Sequence, residues 1–594
     1  MNLFQTIRRE IASVKGMVET LGQIKDLSQS MEWGVADDLE AAVDRHASKD
    51  AFIFEGTTWS FADLDARANR FAHVGKARGL QEGDVVALYL DNRPDYVAAW
   101  FGFAKIGVTT ALLNNNLTGG GLAHCLDAAA PKLILCAAPD IGHFTSLERH
   151  EPILAFDGPI ENSATDIEAE LGAAPTTRPP LAWRAQRRGA SLVFYVYTSG
   201  TTGKPKAAKI THHRALVMMR AFRKPIGARE GDRMYIVLPL YHSTGGLCGV
   251  GAALLSGAGI ILRRRFSATH FWPEAIEQRA TLFVYIGELC RYLVNTPPSP
   301  HDRAHSIRAC FGNGLRPDVW AKFRERFGIR QIVEFYGSTE GNVSLVNLDG
   351  KVGSIGRVPP YVKSRFNIEI VKFDVETESV RRRADGLCAR ADFNEAGEAI
   401  GEIGKDDRFK FDGYTGDPAQ TEKKLLRNVF AQGDLWFRTG DLMRKDREGY
   451  FYFVDRIGDT FRWKGENVST QEVAEVLAGS PGIAEANVYG VAVGQMDGRA
   501  GMASLAPTSD FSVTEIAERV ARDLPVYARP VFLRLQQNFD TTGTFKYRKV
   551  ELVRDGFDPE KISDPLYYRD PQTGGYKDLT PDIYRAIQEH RLRL

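Results

Sequence analysis

The stretch that decides the fold of this chain is Tyr197-Thr198-Ser199-Gly200-Thr201-Thr202-Gly203-Lys204-Pro205-Lys206. The apolar residues from Leu192 to Tyr197 predict a buried strand that runs into a loop of hydroxyls, glycines and lysines. Glycines let the backbone approach an anion closely, hydroxyl and amide groups donate to phosphate oxygens, and the lysines add positive charge. The stretch therefore predicts a loop that binds a polyphosphate.

This loop is not the Walker type, because only two residues separate Gly200 from Gly203-Lys204 and Pro205 stands where Ser or Thr would hold magnesium. An ordinary structural turn is the alternative, but such a turn needs one or two special residues rather than ten in a row. The decapeptide resembles the phosphate-binding signature of adenylate-forming enzymes, which include acyl-CoA synthetases, luciferases and peptide-synthetase adenylation domains. The resemblance implies ATP contacts from Thr198, Ser199, Gly200, Thr201, Thr202, Gly203 and Lys204.

Length and composition restrict the class of protein. The 594 residues are too many for one core, so at least two domains are expected. The 76 Lys and Arg balance 75 Asp and Glu, which leaves a formal charge of +1 and no electrostatic signature of nucleic-acid binding. The 6 scattered cysteines lack zinc spacing and are typical of reduced thiols. With no secretory signal and no apolar run of ~20 residues, we expect a cytoplasmic protein that binds no nucleic acid.

The first 45 residues predict an amphipathic helix, because apolar residues recur at helical spacing at Phe4, Ile7, Ile11, Val14, Val18 and Leu21. Two alternatives stay open for this helix: peripheral contact with the inner face of the cell membrane, or packing on the protein's own surface. The acidic residues Glu10, Glu19 and Asp26 dilute the positive charge. They favour packing on the protein.

An alternation of strands and helices predicts the fold class. Between residues 51 and 138, strand patterns such as 85–90 and 132–136 alternate with helical patterns such as 61–77 and 96–106. Further units of this kind follow, and the last part of the chain again mixes strands and helices. The sequence predicts an α/β protein with a large N-terminal domain of several subdomains and a small α+β C-terminal domain.

The sequence also predicts the bounds of one helix and of the domains. Thr211 can cap a helix that extends to Met219, directly after the phosphate loop. We expect the domains to comprise residues 1–45, 46–457 and 458–594, with the second boundary at a junction that the family resemblance identifies below.

By the same resemblance, several residues of the N-terminal domain surround the nucleotide and the acyl group. His242 matches the family histidine that orients the carboxylate, and no Asp stands near it to pair the ammonium of an amino acid. Gly312, Asn313, Gly314 and Tyr336 match the adenine site, Thr339 the α-phosphate contact, and Glu340 the Mg²⁺ ligand. A lone His or Glu would ordinarily be structural or a solvated charge, so these roles rest on the family match.

Glycines at 245, 246, 249, 251 and 257 follow His242 among leucines and valines. They could leave room for an alkyl chain beside the acyl site. They could equally allow helices to pack closely, and periodicity alone does not separate the two readings.

Residues 455–469 resemble the domain junction of adenylate-forming enzymes. The resemblance implies that Arg456 contacts the nucleotide and that Gly458 occupies the hinge position. Glycine suits a hinge because its backbone torsions change freely. Asp441, expected after a tight turn at Thr439-Gly440, matches the aspartate that binds the ribose hydroxyls. Lys546, in the stretch from Thr541 to Lys549, matches the catalytic lysine, with Lys549 as the rival candidate.

A narrower resemblance covers about residues 45 to 570, through runs such as Tyr285 to Leu293 and Asp564 to Tyr567. It is to the fatty acid transport proteins, also called very-long-chain acyl-CoA synthetases. It implies a ligase that forms an acyl adenylate from a fatty acid and ATP with Mg²⁺ and then transfers the acyl group to coenzyme A. The alternatives are a fatty acid transport protein with little catalysis and an adenylating ligase that delivers the acyl group to a carrier protein or to oxygen.

Overall fold

The structure is a computed structural model, which describes residues 3–158, 164–199, 205–375, 377–404, 409–415, 418–464, 466–494, 496, 498–537, 539, 549–592 and 594. The chain divides into two compact units. The first unit comprises Met1–Leu315, Val319–Arg357 and Glu402–Leu425, and the second comprises Arg316–Asp318, Val358–Gly401 and Leu426–Leu594.

The first unit contains two large sheets and the helices that cover them. Its strands are β1 (Asp50–Phe54), β2 (Thr57–Ser60), β3 (Val85–Tyr89), β4 (Thr109–Leu112), β5 (Leu133–Ala137), β6 (Ile153–Phe156), β7 (Thr165–Asp166), β8 (Leu192–Ser199), β9 (Pro205–Thr211), β10 (Arg233–Ile236), β11 (Gly259–Leu262), β12 (Leu282–Ile286), β13 (Ala309–Asn313), β14 (Gln331–Gly337), β15 (Ser344–Asn347) and β16 (Gly356–Arg357). Its helices are α1 (Leu3–Ile24), α2 (Val35–His46), α3 (Phe61–Ala77), α4 (Pro94–Ala104), α5 (Gly119–Ala129), α6 (Ile141–Thr145), α7 (Ile167–Ala173), α8 (His212–Ala221), α9 (Val250–Leu254), α10 (Phe271–Glu277), α11 (Gly287–Asn295), α12 (Pro317–Phe327) and α13 (Pro418–Glu422).

The predicted alternation of strands and helices is confirmed. The 7-stranded sheet has the order β7-β6-β5-β3-β4-β8-β9, and the 8-stranded sheet has the order β15-β14-β13-β12-β10-β11-β1-β2. Strands β3, β4, β5, β6 and β8 pair in parallel. Helix α3 has the predicted bounds, and α4 begins two residues before the predicted start because Pro94 takes the first helical position.

The phosphate loop joins two antiparallel strands. Strands β8 and β9 pair with Thr198 opposite Lys206 and Ser199 opposite Pro205. Thr211 then caps α8, since its hydroxyl accepts a hydrogen bond from the backbone N–H of Arg214, as predicted.

In the second unit most of the described strand pairs are antiparallel, and one pair is parallel. Its strands are β17 (Ile368–Asp374), β18 (Ser379–Val380), β19 (Gly397–Glu402), β20 (Leu425–Arg427), β21 (Leu435–Lys445), β22 (Tyr450–Arg456), β23 (Phe461–Trp463), β24 (Glu466–Val468), β25 (Ile483–Val491), β26 (Ala500–Pro507), β27 (Phe532–Leu535), β28 (Leu566–Arg569) and β29 (Tyr576–Asp578), and its helices are α14 (Thr470–Ala478), α15 (Val513–Asp523), α16 (Lys549–Asp555) and α17 (Pro581–Gln588). Strands β25 to β29 form one sheet in sequence order, and their apolar faces share a core with Leu477, Ile516 and Ile587. The C-terminal part of the chain is therefore α+β, as predicted.

The predicted N-terminal helix is α1, and it packs on the first unit. Ser13 is buried, and a Cβ atom at Gly16 would lie 3.1 Å from Leu348. The guanidinium of Arg220 on α8 donates to the carbonyl of Gln23 at 3.4 Å. The described helices include none that is long and apolar enough to cross a membrane.

The two compact units divide the chain differently from the domain boundary predicted at Gly458. Residues on both sides of Gly458 belong to the second unit, which begins before β17. The units describe how the chain is packed and do not test where it turns, so the hinge stays a prediction.

Candidate nucleotide and acyl site

The turn after β14 carries two of the predicted site residues, Thr339 and Glu340, and Arg214 of α8 holds it. The Nε atom of Arg214 donates to the carbonyl of Thr339 at 2.6 Å, and Nη2 donates to the carbonyl of Ser338 at 3.0 Å and to that of Gly341. Burial lowers the pKa of Arg214, while the charges of Glu340 and Asp412 act in the opposite direction. One guanidinium therefore fixes the backbone on both sides of the predicted magnesium ligand.

The carboxylate of Glu340 is held by a tyrosine. The hydroxyl of Tyr414 donates to Oε1 of Glu340 at 2.6 Å, and Oε2 accepts no hydrogen bond from the described residues. Tyr414 is buried, and its burial and the neighbouring charge of Glu340 raise its pKa well above the ordinary value. The ammonium of Lys206 lies 5.3 Å from the centroid of the Tyr414 ring.

The segment that carries His242 is anchored by a buried asparagine. Asn92, which is buried, donates to the carbonyl of Leu238 at 2.9 Å and accepts from the N–H of Leu240 at 2.9 Å. The ring of Tyr241 lies 4.5 Å from that of His242, and burial raises the pKa of Tyr241 to about 12.

The same segment reaches the turn after β14. The hydroxyl oxygens of Ser243 and Thr339 lie 3.2 Å apart, within hydrogen-bond distance. The structure thus joins the predicted carboxylate-orienting histidine to the predicted phosphate contact through one residue.

The predicted adenine residues lie on neighbouring parallel strands. Gly312 is the last but one residue of β13 and lies opposite Glu334 of β14, and Tyr336 follows two residues later on β14. A Cβ atom at Gly312 would lie 2.1 Å from the carbonyl oxygen of Tyr285, so only glycine fits there. Gly314 has a φ of +80°, which also favours glycine.

Glu334 lies beneath this loop as a fully buried carboxyl group. Its oxygens accept from the Tyr285 hydroxyl at 2.6 Å and from the N–H of Leu315 at 3.1 Å. Burial raises the pKa of Glu334 to about 8, against the opposing effect of these hydrogen bonds.

The glycines after His242 serve close packing. A Cβ atom at Gly246 would lie 1.9 Å from the carbonyl oxygen of Leu240, and one at Gly251 would lie 2.3 Å from the Cβ atom of Met219 on α8. Gly249 faces the side chains of Ile236 and Val284 at 3.1 and 3.3 Å. Neighbouring atoms fill these positions, which supports the packing reading over room for an alkyl chain.

In the second unit, the predicted ribose and nucleotide residues lie side by side. Asp441 of β21 is directly opposite Arg456 of β22 in an antiparallel pair. The expectation that Asp441 follows a tight turn is wrong, since it lies within the 11-residue strand β21. Gly440 has a φ of +80° inside that strand, and the N–H of Ile457 still donates to its carbonyl at 2.9 Å. A strand with one irregular glycine resembles a turn in sequence.

Lys549 contacts Asp459, the residue that follows Gly458. Gly458 is exposed with a φ of +96°, and a Cβ atom there would contact nothing within 4 Å. The ammonium of Lys549 donates to Oδ2 of Asp459 at 3.1 Å and to the hydroxyl of Thr470 at 2.8 Å. Lys549 is therefore an anchored side chain rather than a free surface charge.

Several predicted site residues lie outside the part of the chain that the structure describes. These are Gly200, Thr201, Thr202, Gly203, Lys204 and Lys546. The description of Ser199 extends only to its backbone, in β8. Their predicted roles remain predictions.

Sequence reasoning missed the residues that hold the site together. Arg214, Tyr414 and Asn92 stand in no motif, and each acts on the backbone or carboxylate of a residue far along the chain. The one local signal was for Arg214, whose position in the first turn after Thr211 places it at the start of α8.

Two family models match the chain. Residues 39–386 match the AMP-binding enzyme family, and residues 472–546 match the AMP-binding enzyme C-terminal domain. The chain belongs to the AMP-binding enzyme family. The first match alone spans more than half of the 594 residues.

Named relatives agree with this family, and a solved structure shares the fold. The chain is 41% identical over 561 residues to the mouse long-chain fatty acid transport protein 6, covering 93% of this chain and 90% of the relative. It is 41% identical over 567 residues to the human long-chain fatty acid transport protein 1, covering 92% and 86%. It thus belongs to the group of long-chain fatty acid transport proteins. The crystal structure of an anthranilate CoA ligase in complex with anthranoyl-AMP shares the fold, with a TM-score of 0.75, 19% identity, and coverage of 89% of this chain and 98% of that one.

The residues around Glu340 fit a magnesium ion that accompanies ATP. Magnesium is usually held by one or two carboxylates together with substrate phosphates. Glu340 supplies one carboxylate, whose Oε2 is not hydrogen-bonded by any described residue, and the described residues contain no cluster of three or more His, Cys, Asp or Glu that could hold a metal alone.

Proposed function

We propose that this adenylate-forming acyl-CoA ligase joins long- or very-long-chain fatty acids to coenzyme A. The observation that carries the proposal is the turn at Thr339 and Glu340, which Arg214 and Tyr414 hold beside the strand that follows the phosphate loop. The names of the relatives support a long fatty acyl chain. The absence of an Asp near His242 in the sequence supports a substrate without an amine.

The reaction has two steps. The fatty carboxylate attacks the α-phosphorus of ATP, the bond from that phosphorus to the bridging oxygen breaks, and pyrophosphate leaves. The thiolate of coenzyme A then attacks the acyl carbonyl carbon, and AMP leaves with the electrons of the broken carbon–oxygen bond. A free carboxylate is a poor acyl donor, so the first step makes the second one feasible.

The predicted site residues would serve these steps in different ways. The phosphate loop from Thr198 to Lys204 would bind the β- and γ-phosphates, Thr339 the α-phosphate and Glu340 the magnesium ion, which supplies charge neutralisation when bound. Gly312 to Gly314 and Tyr336 would hold adenine, and His242 would orient the carboxylate. Asp441 would accept hydrogen bonds from the ribose hydroxyls and Arg456 would contact the nucleotide.

Lys546 would stabilise the charge that grows as pyrophosphate departs, because an ammonium can bridge the attacking carboxylate and the α-phosphate. The residue must leave this place before coenzyme A reacts. We therefore propose that the C-terminal part of the chain, residues 458–594, turns about Gly458 between the two steps.

We also propose that the protein makes peripheral contact with a membrane surface. Ile11, Val14 and Val18 lie on one side of α1 and are 61%, 41% and 64% exposed. Lys15 beside them has a side chain that is 73% exposed. Long-chain fatty acids partition strongly into bilayers, at about 0.8 kcal/mol for each buried CH₂ group. A surface that touches the bilayer would bring the enzyme to its substrate.

The direct test is mass-spectrometric detection of acyl-CoA from ATP, coenzyme A and a panel of fatty acids of different length, with pyrophosphate release measured in parallel. We expect both products from the long acids. Pyrophosphate without acyl-CoA would instead favour delivery to a carrier protein or to oxygen. Fatty acid binding without either product would favour a transport protein that lacks catalysis.

The matched variants are Lys546→Ala and Lys549→Ala. Loss of transition-state stabilisation of this kind is typically ~3 to 4 kcal/mol, or about 10² to 10³ in rate, and a full charge can exceed this. We expect Lys546→Ala to lose that much adenylation while it still binds ATP. Lys549→Ala removes the contacts to Asp459 and Thr470, so we expect reduced thermal stability with adenylation largely kept. The reverse pattern would assign the catalytic role to Lys549.

A further inference from the structure

Tyr414 connects the predicted magnesium ligand to the strand that follows the phosphate loop. We propose that Tyr414 is a positioning residue, which holds the carboxylate of Glu340 in the orientation that binds the divalent cation of the nucleotide. The proposal rests on the proposed function, because Glu340 meets a metal ion only when the nucleotide brings it.

The tyrosine itself is fixed on the first unit by its backbone. Tyr414 forms an antiparallel bridge with Ala208 of β9, and the N–H of Thr415 donates to the carbonyl of Ala207 at 3.2 Å. The N–H of Tyr414 donates to the hydroxyl of Thr421 at 3.1 Å. With its side chain 6% exposed, the ring has little freedom to move away from Glu340.

The hydrogen bond selects one orientation of the Glu340 carboxylate. A glutamate side chain rotates about three torsions. If these torsions are free before the metal binds, fixing them on binding costs conformational entropy. Arg214 already fixes the backbone of Glu340 through its neighbours, so only the side-chain torsions remain. The bond from Tyr414 to Oε1 restricts these torsions and leaves Oε2 for the cation.

The Tyr414 ring also lies near a lysine of the strand that follows the phosphate loop. Lys206, opposite Thr198 in the β8–β9 pair, places its ammonium 5.3 Å from the Tyr414 ring centroid. Tyr414 therefore lies between the ammonium of Lys206, on the strand that follows the phosphate loop, and the carboxylate of Glu340, which would hold the metal.

The experiment removes the hydroxyl in Tyr414→Phe and measures Mn²⁺ binding by the loss of the free-ion signal in electron paramagnetic resonance, with the unreactive analogue α,β-methylene-ATP present. We expect the affinity for Mn²⁺ to fall about tenfold, since partners of metal ligands typically contribute 10- to 100-fold. The affinity for the analogue without metal should stay unchanged. In turnover, the Mg²⁺ concentration for half-maximal pyrophosphate release should rise, and saturating Mg²⁺ should restore most of the rate.

Tyr235→Phe is the matched control. The Tyr235 hydroxyl donates to Oε2 of Glu274 at the same distance of 2.6 Å, and Tyr235 is also buried. We expect it to change thermal stability by a similar amount without moving the Mn²⁺ affinity.

A second background shows whether Tyr414 acts through Glu340. We expect Tyr414→Phe to have no further effect on Mn²⁺ binding in Glu340→Gln. The positioning role would be overturned if Tyr414→Phe kept the parental affinity for Mn²⁺, or if it lowered that affinity as much in the Glu340→Gln background as in the parent. Neither result would contradict the proposed ligase activity. A parent protein that binds no Mn²⁺ with the analogue and releases no pyrophosphate from any acid would overturn the proposed function as well.

Discussion

The carboxyl group of Glu334 places a titratable group beneath the predicted adenine loop. Burial raises its pKa to about 8, and it accepts from Tyr285 and from the N–H of Leu315. Between its ordinary pKa of 4.5 and this value, the folded state binds a proton that the unfolded state has lost. The free energy of unfolding should therefore fall as the pH rises from about 4.5 to about 8 and level off above it.

We predict that Glu334→Gln removes this contribution, because the amide keeps the shape of the side chain and does not titrate. Each pKa unit corresponds to about 1.4 kcal/mol, so the pH dependence of parent minus variant should reach several kcal/mol. The measurement is the midpoint of chemical unfolding at a series of pH values from 5 to 9. Glu274→Gln is the control, since Glu274 accepts the hydroxyl of Tyr235 in a more exposed place. Parallel curves for parent and Glu334→Gln would contradict the prediction.

Among the elements, the sequence predicted those whose signals are local. Helix α3 and the cap at Thr211 depend on neighbouring residues, so their bounds agree with the structure within a few residues. Strand β8 also pairs in parallel with β4, and β21 lies beside β19 in its sheet, and a single stretch of sequence does not encode pairing with a segment so far along the chain. For the same reason the loop motifs identified Thr339 and Glu340 but not Arg214.

Helix α1 shows the same limit in its orientation. Periodicity predicted the helix, and the reading that it packs on the protein is confirmed by Ser13 and Gly16. The carboxylate of Glu10 binds the guanidinium of Arg357, which is 5% exposed, so this part of the helix–protein contact is polar. The apolar residues Ile11 and Val18 are consequently exposed, although they belong to the set that predicted the helix.

This orientation gives a sharper test of membrane contact than removal of the helix. Deleting residues up to Gln29 would also remove the carbonyl that accepts from the N–H of Ala190 at 2.8 Å, and would destabilise the first unit. We predict that replacing Ile11, Val14 and Val18 by serine reduces flotation with anionic liposomes. Thermal stability and activity on a short soluble acid should stay within experimental error, because the three side chains face outward.

The control for this triple variant is Leu181→Ser with Val526→Ser, since these apolar side chains are 69% and 64% exposed elsewhere on the chain. Flotation of the triple variant equal to that of the parent would assign α1 to packing alone.

In the proposed mechanism, one nucleotide site serves two reactions. Lys546 would act at the phosphate in the first and must make room for coenzyme A in the second, so part of the chain has to turn. Gly458 follows β22 in a turn where the N–H groups of Asp459 and Thr460 both donate to the carbonyl of Arg456, at 3.1 and 3.2 Å. Its φ of +96° and its open surroundings let it change conformation without a clash.

We predict that Gly458→Pro separates the two half-reactions. Proline fixes φ near −65° and cannot adopt the observed +96°, so the variant excludes the turn seen here and with it one of the two arrangements. We expect ATP-dependent pyrophosphate release to persist and thioester formation to be lost, even from synthetic acyl adenylate. Gly386→Pro is the control, because Gly386 has a φ of +79° and equally open surroundings in the same unit. A Gly458→Pro protein that makes acyl-CoA from the adenylate at the parental rate would exclude Gly458 as the pivot.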